Sequence, residues 1–235
     1  MTAIGDAAQE VEQPLDPASP LPELYKARFD DREISAKDAV WREIVRYLQR
    51  YIDPDVPLLD IACDQGHFVR WATASERWAT DIRDVRTALP ESVRFVQASG
   101  LDLAAHLPGA HFGTVFMSNY LEHLDSRDEV IEQLRVAAGL LRPGGRVIVL
   151  QPNIRLVGAR YWDFIDHAVP LTERSLLEAA ELAGLRTRDL ITRFLPYSTK
   201  GRLPSHPLLV RAYLQCRPAW WFLGRQTLYV GERVS

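Results

Sequence analysis

The sequence predicts an α/β fold: one domain built on a doubly wound, mostly parallel sheet, with a lid-like insertion near the C-terminus. Three observations predict it. Short apolar runs alternate with stretches of helical period, which implies parallel strands joined by right-handed crossovers. A chain of 235 residues with 47% hydrophobic content can bury one large core. The last two apolar runs are separated by a segment too long for a tight hairpin turn, so an insertion is expected between them.

Residues 1–22, with "EQPLDPASPLP", are rich in proline, alanine and acids, lack periodicity and read as a tail, leaving 23–235 as the domain. From Lys37 to Tyr51, the residues Val40, Ile44, Tyr47, Leu48 and Tyr51 recur at three- and four-residue steps, which predicts an amphipathic helix ended by "DPDVP". Then come a strand "PLLDIA", a helix from about Gly66, a strand "RWATDI", a short helix or turn, a strand "VRFVQA", a loop, and a strand "GTVFMSNY". A helix is predicted from about Arg127 to Leu141, with Ser126 and Glu129 as a capping box and Val130, Leu134, Ala137 and Leu141 as its buried face. "LRPGG" stops it and "RVIVLQP" follows as a strand. Thr172 caps a further helix ended by Gly184. The strands "RTRDLITRFL" and "QTLYVGER" then flank the insertion at 196–224.

A formal net charge of -3 carries no basic footprint, so nucleic acid is not an expected partner. From Gly184 onward, however, nine Lys/Arg stand against two Asp/Glu, and this part can face an anionic partner. The two cysteines, Cys63 and Cys216, are far apart. The N-terminus lacks a basic region followed by an apolar core, and no apolar run approaches the roughly 18 residues of a membrane span. A cytoplasmic protein with reduced thiols is expected.

In an open parallel sheet, ligands bind at the carboxyl ends of the strands. "LLDIACDQGHFVRWA" has the shape of a strand, a tight loop and a helix, with Gly66 allowing close approach of the backbone. Asp81 in "WATDIRD" ends the next strand twenty-one residues after Asp60, and an acid there can accept hydrogen bonds from ribose hydroxyls.

The set "LLDIACDQGHF", "WATDIRD", "VRFVQASGLDL", "GTVFMSNYLEHL" and "LRPGGRVIVLQPN", in this order and spacing, resembles the class I S-adenosylmethionine-dependent methyltransferases over roughly residues 40–190. The resemblance implies a Rossmann-like seven-stranded sheet whose antiparallel last strand is inserted next to the end, and S-adenosyl-L-methionine as cofactor. It implies that Asp60 and the loop through Ala62, Asp64 and Gly66 hold the methionine part. Asp81, with Ile82 beside it, would hold the ribose, Ser99, Gly100 and Leu101 the adenine edge, and Met117, Ser118 and Asn119 the underside. Ala62 and Asp64 replace glycines of the family loop, and Ser99 stands where an aspartate often contacts the adenine amine. Aspartate tolerates left-handed backbone better than most residues and can also accept a hydrogen bond from a ligand ammonium.

Methyl transfer needs an aligned acceptor and, for a hydroxyl, a proton acceptor. "YLEHL" offers Glu122 and His123, and "ARYWDFIDHAVPLT" offers Tyr161, Asp163, Asp166 and His167. His167 is the first choice for general base, since an imidazole titrates near neutrality, with Asp163 or Asp166 as base or as the group that orients it. Glu122 and His123 are expected to pack or cap. A metal site built from Glu122, His123, Asp163 and His167 is conceivable from the ligand types, as some proteins of the resembled fold use a divalent cation, but no i, i+4 ligand spacing supports it and no metal is expected. The segments "YWDFIDHAVPLTERSL" and "RFLPYSTKGRLPSHPLLVRAYL" resemble a bacterial subgroup associated with sugar and polysaccharide biosynthesis.

The insertion carries Tyr197, Tyr213, Trp220, Trp221 and Phe222 with Lys200, Arg202, Arg211, Arg217 and Arg225, suited to sugar rings and phosphates or to packing against the core. The expected function is O-methylation of a small-molecule or glycan acceptor, phosphorylated or not. N-methylation and a non-catalytic binding module are the alternatives. Peripheral membrane contact through 205–225 and a homodimer are further expectations.

Overall fold

Seven strands form one sheet in the order β3-β2-β1-β4-β5-β7-β6. In this computed structural model, residues 31–197 and 206–234 are described. The strands are β1 Leu58–Ile61, β2 Arg77–Asp81, β3 Val93–Gln97, β4 Phe112–Ser118, β5 Leu141–Pro152, β6 Leu185–Ile191 and β7 Gln226–Arg233. The helices are α1 Asp31–Leu48, α2 His67–Trp71, α3 Leu103–His106, α4 Arg127–Leu140, α5 Ile154–Val157, α6 Glu173–Leu182, α7 Pro207–Gln215 and α8 Arg217–Leu223. The pairs among β1 to β5 are parallel, while β7 runs antiparallel to both β5 and β6. The carboxyl ends of β1 to β6 therefore share one edge of the sheet, and the insertion leaves from that edge.

Side chains alternate across the sheet as a pleated strand requires. Leu59, Ile61, Val115, Met117, Val147, Val149 and Tyr229 join Val130, Leu134, Ala137 and Leu176 on one face. Leu58, Phe116, Ile148, Leu150, Leu228 and Val230 join Val40, Ile44, Phe68 and Trp220 on the other. Full burial on both faces explains why these strands read as continuous apolar runs.

Local chemistry sets the helix starts. Ser126 Oγ accepts from the Glu129 amide at 3.2 Å, but Glu129 Oε2 accepts from the Asp125 amide at 2.9 Å, one residue outside a capping box. Thr172 makes the full reciprocal cap with Ser175. Sequence periodicity does not reveal α3, α5, α7 and α8, because these helices are four to nine residues long. β5 begins at Leu141, directly after α4, and "RPGG" forms an irregularity within it where the pairing with β4 shifts register. The expected tail at 1–22, together with Lys200 and Arg202, lies outside the described residues. No helix of the described residues is long and apolar enough to cross a membrane.

Candidate active site

The loop after β1 takes the left-handed backbone at alternate positions: Ala62 at φ 54, Asp64 at φ 50 and Gly66 at φ 69. Where the resemblance expects glycine, this chain keeps glycine's conformation with other residues. Aspartate does so at lower cost than most side chains; alanine accepts some strain. At Gly66 a Cβ would also meet Leu89 Cδ2 at 2.2 Å. α2 has only five residues, so the loop amides, rather than an extended helix dipole, would face a ligand.

Asp60 lies within β1, paired with β2 and β4, and is 2% exposed. Its Oδ2 is buried with no hydrogen-bond partner among the described residues. Burial pushes its carboxyl well above the usual carboxylate range, and Asp81 and Asp64 add to this. A buried, unsatisfied carboxyl oxygen beside a left-handed loop fits a group that donates hydrogen bonds or carries positive charge, such as the ammonium of the implied cofactor.

At the end of β2, Asp81 accepts from four donors. The amide of Asp64 reaches Oδ2 at 3.0 Å; the amide and Nε of Arg83 reach Oδ1, each at 3.0 Å; and Arg83 Nη2 reaches Oδ2 at 3.2 Å. Arg83 Nη2 also donates to Asp64 Oδ1 at 3.0 Å, and Lys37 Nζ stands 3.6 Å from Asp64 Oδ2. Burial alone would raise the Asp64 carboxyl, but Lys37 and Arg83 hold it below its usual value. Sequence reasoning missed Arg83 and Lys37. "DIRD" placed Arg83 close to Asp81, yet nothing in the sequence shows which way a surface arginine turns.

Ile82 is half exposed beside Asp81. Ser99 Oγ accepts from the Leu101 amide at 3.4 Å, which starts the turn at Gly100. A Cβ at Gly100 would lie 2.3 Å from Tyr120 Oη, so close packing requires glycine there. At the end of β4, Asn119 takes φ 48 and donates Nδ2 to Ser118 Oγ at 3.2 Å, while Met117 is fully buried in the core. The strand ends thus bring the expected cofactor residues to one edge.

Beyond β4 the chain turns through Leu121–His123. The amides of Ala168 and Val169 donate to the Glu122 carbonyl at 2.9 and 3.1 Å, which fastens the loop after β5 to this turn. His123 and His167 then meet edge to face, ring centroids 4.9 Å apart, and Tyr161 and Phe164 wall His167 at 4.7 and 5.2 Å. His123 Nδ1 lies 2.9 Å from the Asp166 carbonyl oxygen and 3.5 Å from its Oδ2. Asp166 thus engages His123; the sequence reading offers it as base or as the group that orients His167. Asp163 is exposed and stands outside the cluster.

Glu122 is 1% exposed, and both its carboxylate oxygens are buried without a hydrogen-bond partner among the described residues. Burial pushes it up to about 8, and the charge of Asp166 acts in the same direction. Ligand-capable atoms of Glu122, His123 and His167 lie within 4.8 Å of one another. Sequence spacing could not show this grouping, because His167 arrives on a different loop.

The insertion divides its aromatics between two uses. Trp220 is buried against Tyr47 and Phe194, at centroid distances of 5.7 and 5.4 Å, and Tyr213 Oη donates to the Phe194 carbonyl at 2.6 Å. Arg211 donates Nε and Nη2 to Glu43 at 2.8 and 3.0 Å. Trp221 and Phe222 instead stand 69% and 72% exposed. Tyr197 packs against Phe164 at 6.1 Å, beside the loop that carries His167.

Comparison with known proteins agrees with this geometry. A family model described as a methyltransferase domain matches residues 32–190. A SAM-dependent methyltransferase from Archaeoglobus fulgidus superposes with TM-score 0.61 at 16% identity, covering 90% of this chain and 99% of that one. One from Mesorhizobium loti gives TM-score 0.59 at 19% identity over 81% and 96%. Geranyl diphosphate C-methyltransferase from Streptomyces coelicolor A3(2), in complex with Mg2+, geranyl diphosphate and S-adenosyl-L-homocysteine, gives TM-score 0.57 at 17% identity over 93% and 86%. No curated protein matches the chain in sequence. With its sheet order, its left-handed loop after β1 and a family match over most of its length, the chain belongs to the methyltransferase-domain family and is an enzyme that works with S-adenosylmethionine.

Proposed function

We propose that this enzyme methylates a hydroxyl of a small or carbohydrate-type acceptor, a nucleotide sugar or a glycan. The observation that carries the reading is the polar cluster in which the buried Glu122 and His167 meet the half-buried His123, Glu122 and His123 following directly on Ser118 and Asn119 at the end of β4. A buried imidazole beside a carboxyl group is suited to receive the proton that a hydroxyl loses as it attacks.

S-adenosylmethionine, when bound, supplies a methyl group on a cationic sulfur. Toward it, Asp60 and the loop of Ala62, Asp64 and Gly66 would hold the amino-acid part. Asp81 and Ile82 would hold the ribose, Ser99, Gly100 and Leu101 the adenine, and Ser118 and Asn119 the floor. The side chain of Arg83 must then yield or share its bonds to Asp81. His167 takes the acceptor's proton, Asp166 orients His123, and the insertion at 196–224 covers the acceptor through Tyr197. The two free cysteines are consistent with a reducing, cytoplasmic setting.

Incubation of the full chain with methyl-labelled S-adenosylmethionine and a panel of nucleotide sugars and glycans tests the reading. Label transferred to a hydroxyl supports it; label found only on amine or carbon acceptors overturns it.

A second surface supports contact with an anionic membrane. On α7 and α8, Leu208, Leu209, Trp221 and Phe222 are exposed. The same two helices contribute Arg211 and Arg217 to a cavity of about 410 Å³ that Arg46 and Arg50 also line, with Glu43 as its one acid. Apolar side chains flanked by arginines suit the interface between lipid headgroups and acyl chains.

A further inference from the structure

We propose that Glu122, His123 and His167 bind one divalent transition-metal ion. Four observations converge on it. First, the three side chains offer ligand atoms within 4.8 Å of one another, although they come from two separate loops. An ion with bonds of roughly 2.0 to 2.2 Å draws its ligands to within roughly 3 to 3.5 Å of each other, so the most distant pair closes by at most roughly 1.3 to 1.8 Å through side-chain adjustment.

Second, His123 is held in a tautomer suited to a ligand. Its Nδ1 lies 2.9 Å from the Asp166 carbonyl oxygen, so Nδ1–H donates there and Nε2 keeps its lone pair. The Asp166 carboxylate, 3.5 Å from the same ring, adds the negative charge that raises a ligand's basicity.

Third, Glu122 is 1% exposed and neither of its oxygens has a hydrogen-bond partner among the described residues. A buried carboxylate without a partner is costly, and a cation removes that cost. Fourth, the pocket is walled by Tyr161 and Phe164, whose rings pack on His167 and limit its rotation.

Two imidazoles and one carboxylate suit zinc, cobalt, iron(II) or manganese, whereas magnesium and calcium favour oxygen ligands. Three protein ligands leave at least one position open. A hydroxyl or water bound there would lose its proton to solvent water more readily, so that His167 would not need to act as a base. That consequence rests on the hydroxyl-acceptor reading above; metal binding itself does not.

The test uses the full chain, stripped with chelator and titrated with cobalt(II) alone, followed by visible absorption and by calorimetry with zinc(II). One equivalent per chain with cobalt ligand-field bands is expected, and millimolar magnesium should give no heat. His123→Asn and His167→Asn should each weaken binding at least tenfold, with the far-UV circular dichroism unchanged. The exposed His106→Asn serves as control and should bind as the parent does. Absence of stoichiometric binding, binding as tight as the parent's in both histidine variants, or loss of binding in the control would overturn the site. Should a histidine variant misfold, Glu122→Gln read by the same bands decides in its place. Cobalt bound without methyl transfer to a hydroxyl faults only the acceptor reading; transfer without cobalt binding faults only this site.

Discussion

The backbone amide of Asp64 donates to Oδ2 of Asp81 at 3.0 Å, so the loop after β1 is fastened to the end of β2 by the carboxylate assigned to the ribose. The side chain proposed to bind the ribose therefore also shapes the loop. Asp81→Ala should weaken S-adenosylhomocysteine binding by tenfold or more and also lower the melting temperature. An unaltered dissociation constant by calorimetry would contradict the ribose role.

Asp64 holds φ 50 and pairs with Arg83 and Lys37. Asp64→Gly removes the conformational cost and should keep S-adenosylhomocysteine affinity within about threefold if the carboxylate only shapes the loop. Asp64→Val puts a β-branched side chain in the left-handed region and should cost about 1–2 kcal/mol of stability. Thermal unfolding of the two variants side by side checks the ordering; equal melting temperatures would refute the strain account.

His167→Ala should lower turnover on a hydroxyl acceptor by about 10² to 10⁴, whether the imidazole acts as base or as ligand. Cofactor affinity should stay near that of the parent, because the Asp60 and Asp81 sites are untouched. Unchanged turnover removes His167 from the chemistry.

Glu43 is buried in α1 and takes a forked pair of bonds from Arg211 on α7. Arg211 holds its pKa below the ordinary glutamate value against the effect of burial, helped by Arg46 and Arg42. A depressed carboxyl contributes stability above its unfolded pKa and loses it as pH falls through the folded value. Glu43→Gln should therefore cost about 1–3 kcal/mol at pH 7, a difference that shrinks once pH drops below about 4. Denaturant melts across that range measure it; a gap that widens on acidification would reverse the sign.

The exposed pair Trp221 and Phe222 makes membrane contact testable on its own. The full chain should cosediment with anionic liposomes, and Trp221→Ala with Phe222→Ala should abolish this. No binding to anionic vesicles by the parent chain ends the idea.

Much of the fold was legible because period and burial coincide. β1, β4 and β5 are covered on both faces and appear in the sequence as mainly apolar runs, while Val130, Leu134 and Ala137 keep helical spacing. α7 and α8 were not legible: they are short, and their burial against α1 depends on Trp220 and Arg211 meeting residues far away in the chain.

The sequence by itself determined the succession of strands and of the longer helices, the acids Asp60 and Asp81 on β1 and β2 and the identity of the candidate residues, since local period and turn chemistry act within a few residues. Only the tertiary structure decided that Ala62 and Asp64 adopt glycine's backbone, that Arg83 occupies Asp81, and that Glu122 and His123 meet His167. The physical reason is range. A side chain's burial, its pKa and its partners are set by whatever the fold packs against it, and those groups come from other loops.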